Sequence, residues 1–144
     1  MKTKVLLVSV LLVTLILTFG CASKVNVEEV RSYADPMTEN LLVAMNESNY
    51  ANFSKDLDSR MKKAIPESSF PNLISQINGK IGKYVTGSKV FQKALKEKQY
   101  IKVVYTAQFT EEPKGVIVTV VFVKVNGEMK VAGLWFNSPK LRKK

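Results

Sequence analysis

Residues that could carry acid–base chemistry are scarce in this chain of 144 residues. Histidine is absent, which removes the commonest general base and the commonest metal ligand. The aspartates and the glutamates of the second half fall on predicted helices, helix caps or turns: Asp35, Asp56, Asp58, Glu97, Glu111, Glu112 and Glu128. Since no predicted strand carries a carboxylate toward an interior site, we expect neither a metal nor a cofactor. Whether the chain is an enzyme stays open, and its residues favour a non-catalytic function.

The other residue with distinctive chemistry is Cys21, the single cysteine. Alone it can form neither an internal disulfide nor a thiolate metal cluster. It follows a segment in which residues 1–4 include two lysines, residues 5–19 are mostly apolar, and residues 20–23 are small. These are the three parts of a secretory signal, and the apolar stretch is short against the roughly twenty residues that span a bilayer. We expect residues 1–20 to be a signal peptide.

Cleavage next to Cys21 has three interpretations. The segment Leu17-Thr18-Phe19-Gly20-Cys21 resembles the lipobox of prokaryotic lipoproteins, in which the cysteine becomes the lipidated first residue. Thr18 and Phe19 stand where leucine and a small residue are usual, so two alternatives stay open. An ordinary signal peptidase could cut after Ala22, or the segment could be retained as an anchor. All three place the domain outside the cytoplasm, lipid-anchored at the outer face of the cell membrane or secreted.

Aromatic residues in the second half of the chain supply the candidate binding site. Tyr84, Tyr105, Phe109, Phe122 and Trp135 could line a cavity between helices and a sheet, and such a cavity would suit a small apolar or aromatic ligand. The alternative is that these side chains fill the core, which is the commoner fate of aromatic residues in strands. Trp135 is of particular interest because a buried indole N–H needs a hydrogen-bond partner.

The chain is strongly basic, with a formal net charge of +10. Basic surfaces favour anionic partners such as lipid headgroups, although excess lysine also serves simply to keep a surface solvated. The Lys62-Lys63 pair and the basic tail, residues 140–144, could contact anionic headgroups near the anchor. An envelope protein is the other candidate partner. The lack of an alternating aromatic–basic patch argues against nucleic acid.

Helical periodicity dominates the first half of the chain. Asp35-Pro36 predicts a helix start, with the aspartate as cap and the proline at the first helical position. Apolar residues then recur at helical spacing as far as Met45, and a second helical face runs from Tyr50 to Ile65. A further helix is expected to stop at Asn78-Gly79.

Beyond Gly79 the apolar period changes from about 3.6 to about 2, which predicts four strands. The first is long and bent, over residues 82–95, with a bulge expected at Gly87. The others cover residues 100–109, 116–125 and 129–136, and the third is apolar on both faces and therefore central. Asn126-Gly127 predicts a two-residue hairpin turn between the last two strands.

These elements predict an α+β fold in which N-terminal helices pack on a curved four-stranded antiparallel sheet, cone-like and in two layers. After the signal peptide, residues 21–32 would form the lipidated N-terminus and a tether, although Lys24 to Arg31 could also be the start of a helix. Residues 33–139 would form a single domain, and residues 140–144 the basic tail.

The element order resembles a known superfamily. Three helices, a bent strand and a meander that ends in residues 129–136 resemble the cone-shaped fold of the nuclear transport factor two superfamily. Residues 41–45, 49–54 and 60–66 resemble one of its branches, an uncharacterised domain-of-unknown-function family found in bacterial and archaeal lipoproteins and attached to some secreted hydrolases. The resemblance covers roughly Tyr33 to Ser138. It implies the fold and says little about function, because this fold hosts enzymes and binding domains alike.

Together these features predict a membrane-anchored extracytoplasmic lipoprotein domain, non-catalytic, that binds a small ligand or a protein partner. The alternative is an envelope protein-interaction or structural module that uses the exposed face of the sheet. A small enzyme of the cone-fold superfamily is the least favoured function.

Overall fold

The computed structural model describes residues 24–143. The predicted signal peptide and Cys21 lie outside the described residues. Helices come first and an open four-stranded antiparallel sheet follows, so the predicted α+β class is confirmed. The elements are α1 (Val27–Asn46), α2 (Tyr50–Ser54), α3 (Ser59–Ala64), α4 (Phe70–Ile81), β1 (Val90–Glu97), β2 (Tyr100–Phe109), β3 (Glu112–Val125), β4 (Glu128–Asn137) and α5 (Pro139–Arg142). Over residues 24–143, no helix combines the length and apolarity needed to cross a membrane.

Helix α1 begins well before the predicted start at Asp35-Pro36, and that prediction is wrong. Asn26 is the cap, and its side chain accepts a backbone N–H of the first turn. Pro36 lies inside the helix, where proline costs about 3 kcal/mol relative to alanine. The helix continues through it because Val30 and Ala34, in the turns before the proline, are buried in the core. Residues 27–32, for which the sequence left open a tether or the start of a helix, belong to α1.

Helix α4 does not stop at Asn78-Gly79, contrary to the prediction. It continues to Ile81, which is fully buried, and ends at Gly82, whose φ is +76°. Burial of Ile81 extends the apolar stripe by one turn beyond Ile77 and carries the helix past Gly79. The positive φ that favours glycine is therefore needed at Gly82, and an added Cβ there would meet Thr110 Oγ1 at 2.0 Å.

Strand β1 is shorter than predicted because the chain before it forms a loop. The strand begins at Val90, and its bulge falls between Phe91 and Lys93 rather than at Gly87. Gly87, with φ of +78°, lies in the loop, and its backbone N–H donates to the Glu39 carboxylate at 3.0 Å. A side chain of α1 therefore takes the hydrogen bond that a strand partner would otherwise accept.

The strands follow one another in the order β1-β2-β3-β4, so β3 is an interior strand as predicted. Asn126 and Gly127, with φ of +50° and +84°, form the tight β3–β4 turn expected from the sequence. Because neighbouring strands run in opposite directions, the β1–β2 and β3–β4 turns lie at one end of the sheet. The β2–β3 turn lies at the other end.

One face of the sheet, here called the inner face, packs against the helices. Its buried side chains alternate along β2 and β3 and include Val103, Tyr105, Val118, Val120 and Phe122. Tyr33 of α1 meets Phe122 edge to face, with ring centroids 5.4 Å apart. Helix α1 therefore lies over the inner face, and its polar side chains are positioned within reach of residues on that face.

The opposite, outer face is partly covered by α3. Residues 56–58 first pair with β4: the Val131 N–H donates to the Asp56 carbonyl, and the Asp58 N–H donates to the Val131 carbonyl, both at 2.8 Å. The Asp58 side chain then caps α3. The guanidinium of Arg60 stacks over the Tyr100 ring, with Cζ 5.7 Å from the ring centroid, which is within the limit of about 6 Å usual for a cation–π pair. This brings α3 against the outer side of β2.

Candidate functional site

Four of the five aromatic residues predicted to line a cavity lie together in the core. Tyr84, Tyr105, Phe109 and Phe122 are at most 3% exposed. The rings of Tyr84 and Phe109 are 5.8 Å apart between centroids. Their side chains pack between the helices and the inner face, which is the arrangement kept as the alternative in the sequence analysis. Their role in lining a ligand site stays a prediction.

Trp135 does not join the other four. It is 57% exposed and lies on the outer face, where its ring covers the backbone of Gly133. A Cβ added at Gly133 would meet the indole at 2.2 Å, so glycine is what allows this ring position. The ring borders a cavity of about 380 Å³, which we call the outer groove. Its lining residues are Arg60, Met61, Ala64, Tyr100, Val121, Ala132 and Trp135.

A bulge in β4 explains why Trp135 faces outward. Simple alternation from the buried Val131 would place Trp135 on the inner face with it. The register, however, shifts at this point: Phe122 pairs with Val131 and Val121 pairs with Gly133, which leaves Ala132 as an extra residue. One extra residue moves every later side chain to the opposite face. Phe136 consequently faces inward, where its ring contacts Phe109 at 5.9 Å between centroids.

Ionisable side chains converge where the middle of α1 meets the sheet. We call this group the clasp; its members are Arg31, Asp35, Glu39, Tyr84, Lys89 and Tyr105. The Tyr105 hydroxyl donates to Asp35 at 2.9 Å, and the Tyr84 hydroxyl donates to Glu39 at 2.8 Å. Each carboxylate also meets a cation: Arg31 lies 3.0 Å from Asp35, and Lys89 lies 3.6 Å from Glu39.

Burial decides the protonation of the two clasp tyrosines. Burial first, and then the neighbouring Glu39 carboxylate, raises the pKa of Tyr84 to about 12. Burial, followed by Asp35, raises the pKa of Tyr105 as well. Both hydroxyls therefore keep their protons near neutral pH and act as donors. With donors and cations already on Asp35 and Glu39, the clasp ties the helix to the sheet and leaves neither carboxylate unpartnered.

Sequence reasoning missed the clasp because it assigned Asp35 to a helix cap. The signal was present: Arg31, Asp35 and Glu39 are spaced four apart and share one face of a longer helix. Recognising it required placing the start of α1 at Val27 rather than at Asp35-Pro36.

A second polar region lies at the end of the sheet that carries the β1–β2 and β3–β4 turns. The start of α1 and these two hairpins enclose an open cavity of about 530 Å³, which we call the basic cleft. Its lining residues are Lys24, Val25, Asn26, Glu29, Val30, Tyr33, Lys96, Gln99, Ile101, Lys124, Gly127 and Met129.

The electrostatics of the basic cleft differ from those of the clasp. Lys24, Lys96 and Lys124 form no ion pair with any residue of the described range. Glu29 is the single acidic residue of the lining. Burial first, and then the Glu29 carboxylate, raises the pKa of Tyr33, so this hydroxyl is also protonated near neutral pH. The cleft therefore offers several hydrogen-bond donors and an excess of positive charge.

The basic residues singled out from the sequence lie elsewhere. Lys62 and Lys63 are exposed in the last turn of α3. The basic tail overlaps α5. Lys140 donates through Nζ to the Glu111 carbonyl and through its backbone N–H to the Glu112 carboxylate at 3.2 Å. This anchors the tail at the β2–β3 turn, which is the end of the sheet opposite the basic cleft.

No group of three or more potential metal-ligating side chains occurs within residues 24–143.

Comparison with known proteins supports the resemblance to an uncharacterised domain family. No curated protein and no solved structure matches the chain. A family model described as "Protein of unknown function (DUF3887)" matches residues 38–134. The matched segment runs from the middle of α1 to β4. It includes most of the clasp, together with the β1–β2 and β3–β4 turns that border the basic cleft. It covers more than half of the chain, which therefore belongs to this family of unknown function.

Proposed function

We propose that this chain is exported and held at the outer face of the cell membrane through Cys21. The order of charged, apolar and small residues before Cys21 supports this. Because Lys24 lies three residues after Cys21, and an extended residue spans at most about 3.6 Å, a lipid on Cys21 would hold Lys24 within about 11 Å of the membrane surface.

We also assign the domain to the nuclear transport factor two-like superfamily. The support is architectural: helices precede a bent antiparallel sheet, and α1 lies over the inner face of that sheet. In such an arrangement, a ligand site between helix and sheet is expected at an end where the two layers separate.

The function that the geometry supports best is non-catalytic binding of a small ligand in the basic cleft. The observation that carries it is the volume of about 530 Å³ left open between the start of α1 and the hairpins, which falls in the range of about 300–1,000 Å³ usual for small-molecule sites. Further along the same interface, Tyr105, Phe109 and Phe122 are packed. An enzyme is not proposed, because Asp35 and Glu39 are engaged by tyrosines and cations.

A mass comparison on protein purified from its own membranes tests both parts of the proposal. A denatured mass equal to the chain from Cys21 plus acyl groups is expected. An unmodified chain that begins at Ser23 would replace the anchor with plain secretion. A native mass that exceeds the denatured one by a small, reproducible increment is expected for the ligand binder, whereas equal masses would count against it.

A second function, protein interaction through the outer face, is supported by Trp135. A tryptophan that is 57% exposed and borders a groove of about 380 Å³ is the type of residue that dominates binding energy at protein interfaces. Crosslinking of intact cells tests this function. The module predicts a discrete heavier species that Trp135→Ala removes and that Ile117→Ala, a matched outer-face control at a residue 45% exposed, retains. Equal yields in the two variants would exclude the outer groove as the contact.

A further inference from the structure

The three lysines of the basic cleft reach one place from three separate elements. Lys24 precedes α1, Lys96 lies near the end of β1, and Lys124 lies near the end of β3. Lys96 pairs with Ile101 and Lys124 pairs with Met129, which are inner-face register positions. Both lysines thus occupy positions that are filled by apolar side chains further along the same strands. Three like charges brought together without a carboxylate partner from the described residues cost free energy, and an anion would relieve that cost.

Below the lysines, the floor of the basic cleft is apolar. Val30 is 5% exposed, and Ile101 and Met129 are half-buried. The half-buried ring of Tyr33 continues this floor, because it packs edge to face on Phe122. A cavity with a cationic rim over an apolar floor matches a ligand that is itself an anion joined to an apolar chain.

The position of the basic cleft indicates that the membrane itself is the source of such a ligand. Lys24 belongs to the lining and lies three positions after Cys21. If Cys21 carries the anchor, the cleft opens beside the bilayer rather than away from it. This step rests on the function proposed above.

We propose that the basic cleft binds the headgroup and the adjoining acyl chain of an anionic phospholipid of the membrane to which the protein is tethered. The lysine ammonium groups contact the phosphate, and the apolar floor contacts the first methylenes of the chain. This names the ligand class of the small-ligand function and its site.

Native mass spectrometry of the full chain in a non-ionic detergent tests the ligand class. The probes are phosphatidylglycerol, phosphatidylcholine, oleate and glycerol 3-phosphate, added separately at equal concentration. A one-to-one complex with phosphatidylglycerol is expected to form at least about tenfold more tightly than the complex with zwitterionic phosphatidylcholine, since each lysine near an anionic lipid contributes about 1 kcal/mol, or about fivefold. It is also expected to be tighter than the complexes with glycerol 3-phosphate, which has no acyl chain for the apolar floor, and with oleate, which has no phosphate. Equal binding of glycerol 3-phosphate would overturn the role of the apolar floor. Preference for oleate would overturn the assignment to a phospholipid, and preference for phosphatidylcholine would overturn the assignment to an anionic headgroup.

Two double variants of equal charge change test the site. Lys96→Gln with Lys124→Gln is expected to weaken the phosphatidylglycerol complex by about 30-fold, because two charges at about fivefold each are lost. Lys83→Gln with Lys114→Gln is the control: both residues are exposed at the opposite end of the sheet, near the β2–β3 turn. An equal loss in the two variants would mean non-specific attraction by net charge and would overturn the proposal. No loss in the cleft variant would overturn it as well.

The result is independent of the anchor. The mass spectrum of the same full chain under denaturing conditions reports acylation of Cys21, whereas the native complex reports occupancy of the cleft. Acylation of Cys21 without a specific lipid complex would support the proposed anchor and would overturn the proposed lipid site.

Discussion

The clasp and the basic cleft both border α1 on the inner side of the sheet, and they use charge in opposite ways. In the clasp, carboxylates of the helix meet tyrosine hydroxyls and cations at distances of 2.8–3.6 Å. In the cleft, three lysines share one rim with a single glutamate. Paired charges near the core hold two layers together, whereas unpaired like charges at an opening contribute little to folding and remain available to a ligand. The comparison predicts that substitutions in the clasp change stability and that substitutions in the cleft change binding.

The largest effect on stability is expected from Glu39→Ala. The Glu39 carboxylate accepts from the Tyr84 hydroxyl and from the Gly87 N–H, and it pairs with Lys89. Removing it leaves these groups without their acceptor and is expected to lower the free energy of unfolding by about 2–3 kcal/mol. Urea denaturation of the full chain in non-ionic detergent, followed by far-ultraviolet circular dichroism, measures this. Glu47→Ala is the control, because Glu47 is exposed at the end of the same helix.

A Glu39→Ala variant with the stability of the Glu47→Ala control would break the comparison. It would mean that the clasp, in spite of its short contacts, does not hold α1 to the sheet.

An intermediate effect is expected at high pH. The folded-state pKa of Tyr84 is raised from 10.0 to about 12, so the protonated hydroxyl stabilises the folded protein below pH 10. This contribution is lost as the pH rises from 10 through 12. Between these values, the free energy of unfolding of the wild type should fall more steeply than that of Tyr84→Phe, which has no hydroxyl to titrate. Parallel pH profiles for the two proteins would contradict a buried, hydrogen-bonded Tyr84.

The smallest effect on stability is expected from the double variant Lys96→Gln with Lys124→Gln. Neither lysine has an ion-pair partner in the described part of the chain, so its removal should change the free energy of unfolding by no more than about 0.5 kcal/mol. The same denaturation experiment measures it. A loss as large as that of Glu39→Ala would show that the cleft lysines are structural and would remove the contrast between the two regions.

Local signals in the sequence were sufficient for much of the fold. Asn126-Gly127 fixed the last hairpin because its two positive φ angles suit few other residue pairs. The doubly apolar β3 indicated an interior strand because burial on both faces leaves no polar side. In both cases the deciding interactions are near in sequence, so a pattern of a few residues carries the information.

Other features depended on packing between distant segments. The local pattern at Pro36 predicts a helix start, yet the helix extends through Pro36 because Val30 and Ala34 are buried in the core. Regular alternation would place Trp135 on the inner face with Val131, yet the bulge at Ala132 turns it to the outer face. The basic cleft joins Lys24, Lys96 and Lys124, which no local pattern connects. Each of these outcomes depends on which surfaces are covered in the folded chain. The types of neighbouring residues in the sequence do not determine which surfaces those are.

The pairing of residues 56–58 with Val131 has a consequence for the order in which the chain folds. This contact joins a segment that is synthesised early to the last strand of the sheet. Helices α1 to α4 also pack on strands that all follow them in the sequence. Contacts between distant segments require large loops to close and form slowly. The N-terminal half can therefore reach its final packing only when nearly the whole chain has been synthesised. For the export proposed above, this order means that the domain completes its folding only after the chain has crossed the membrane.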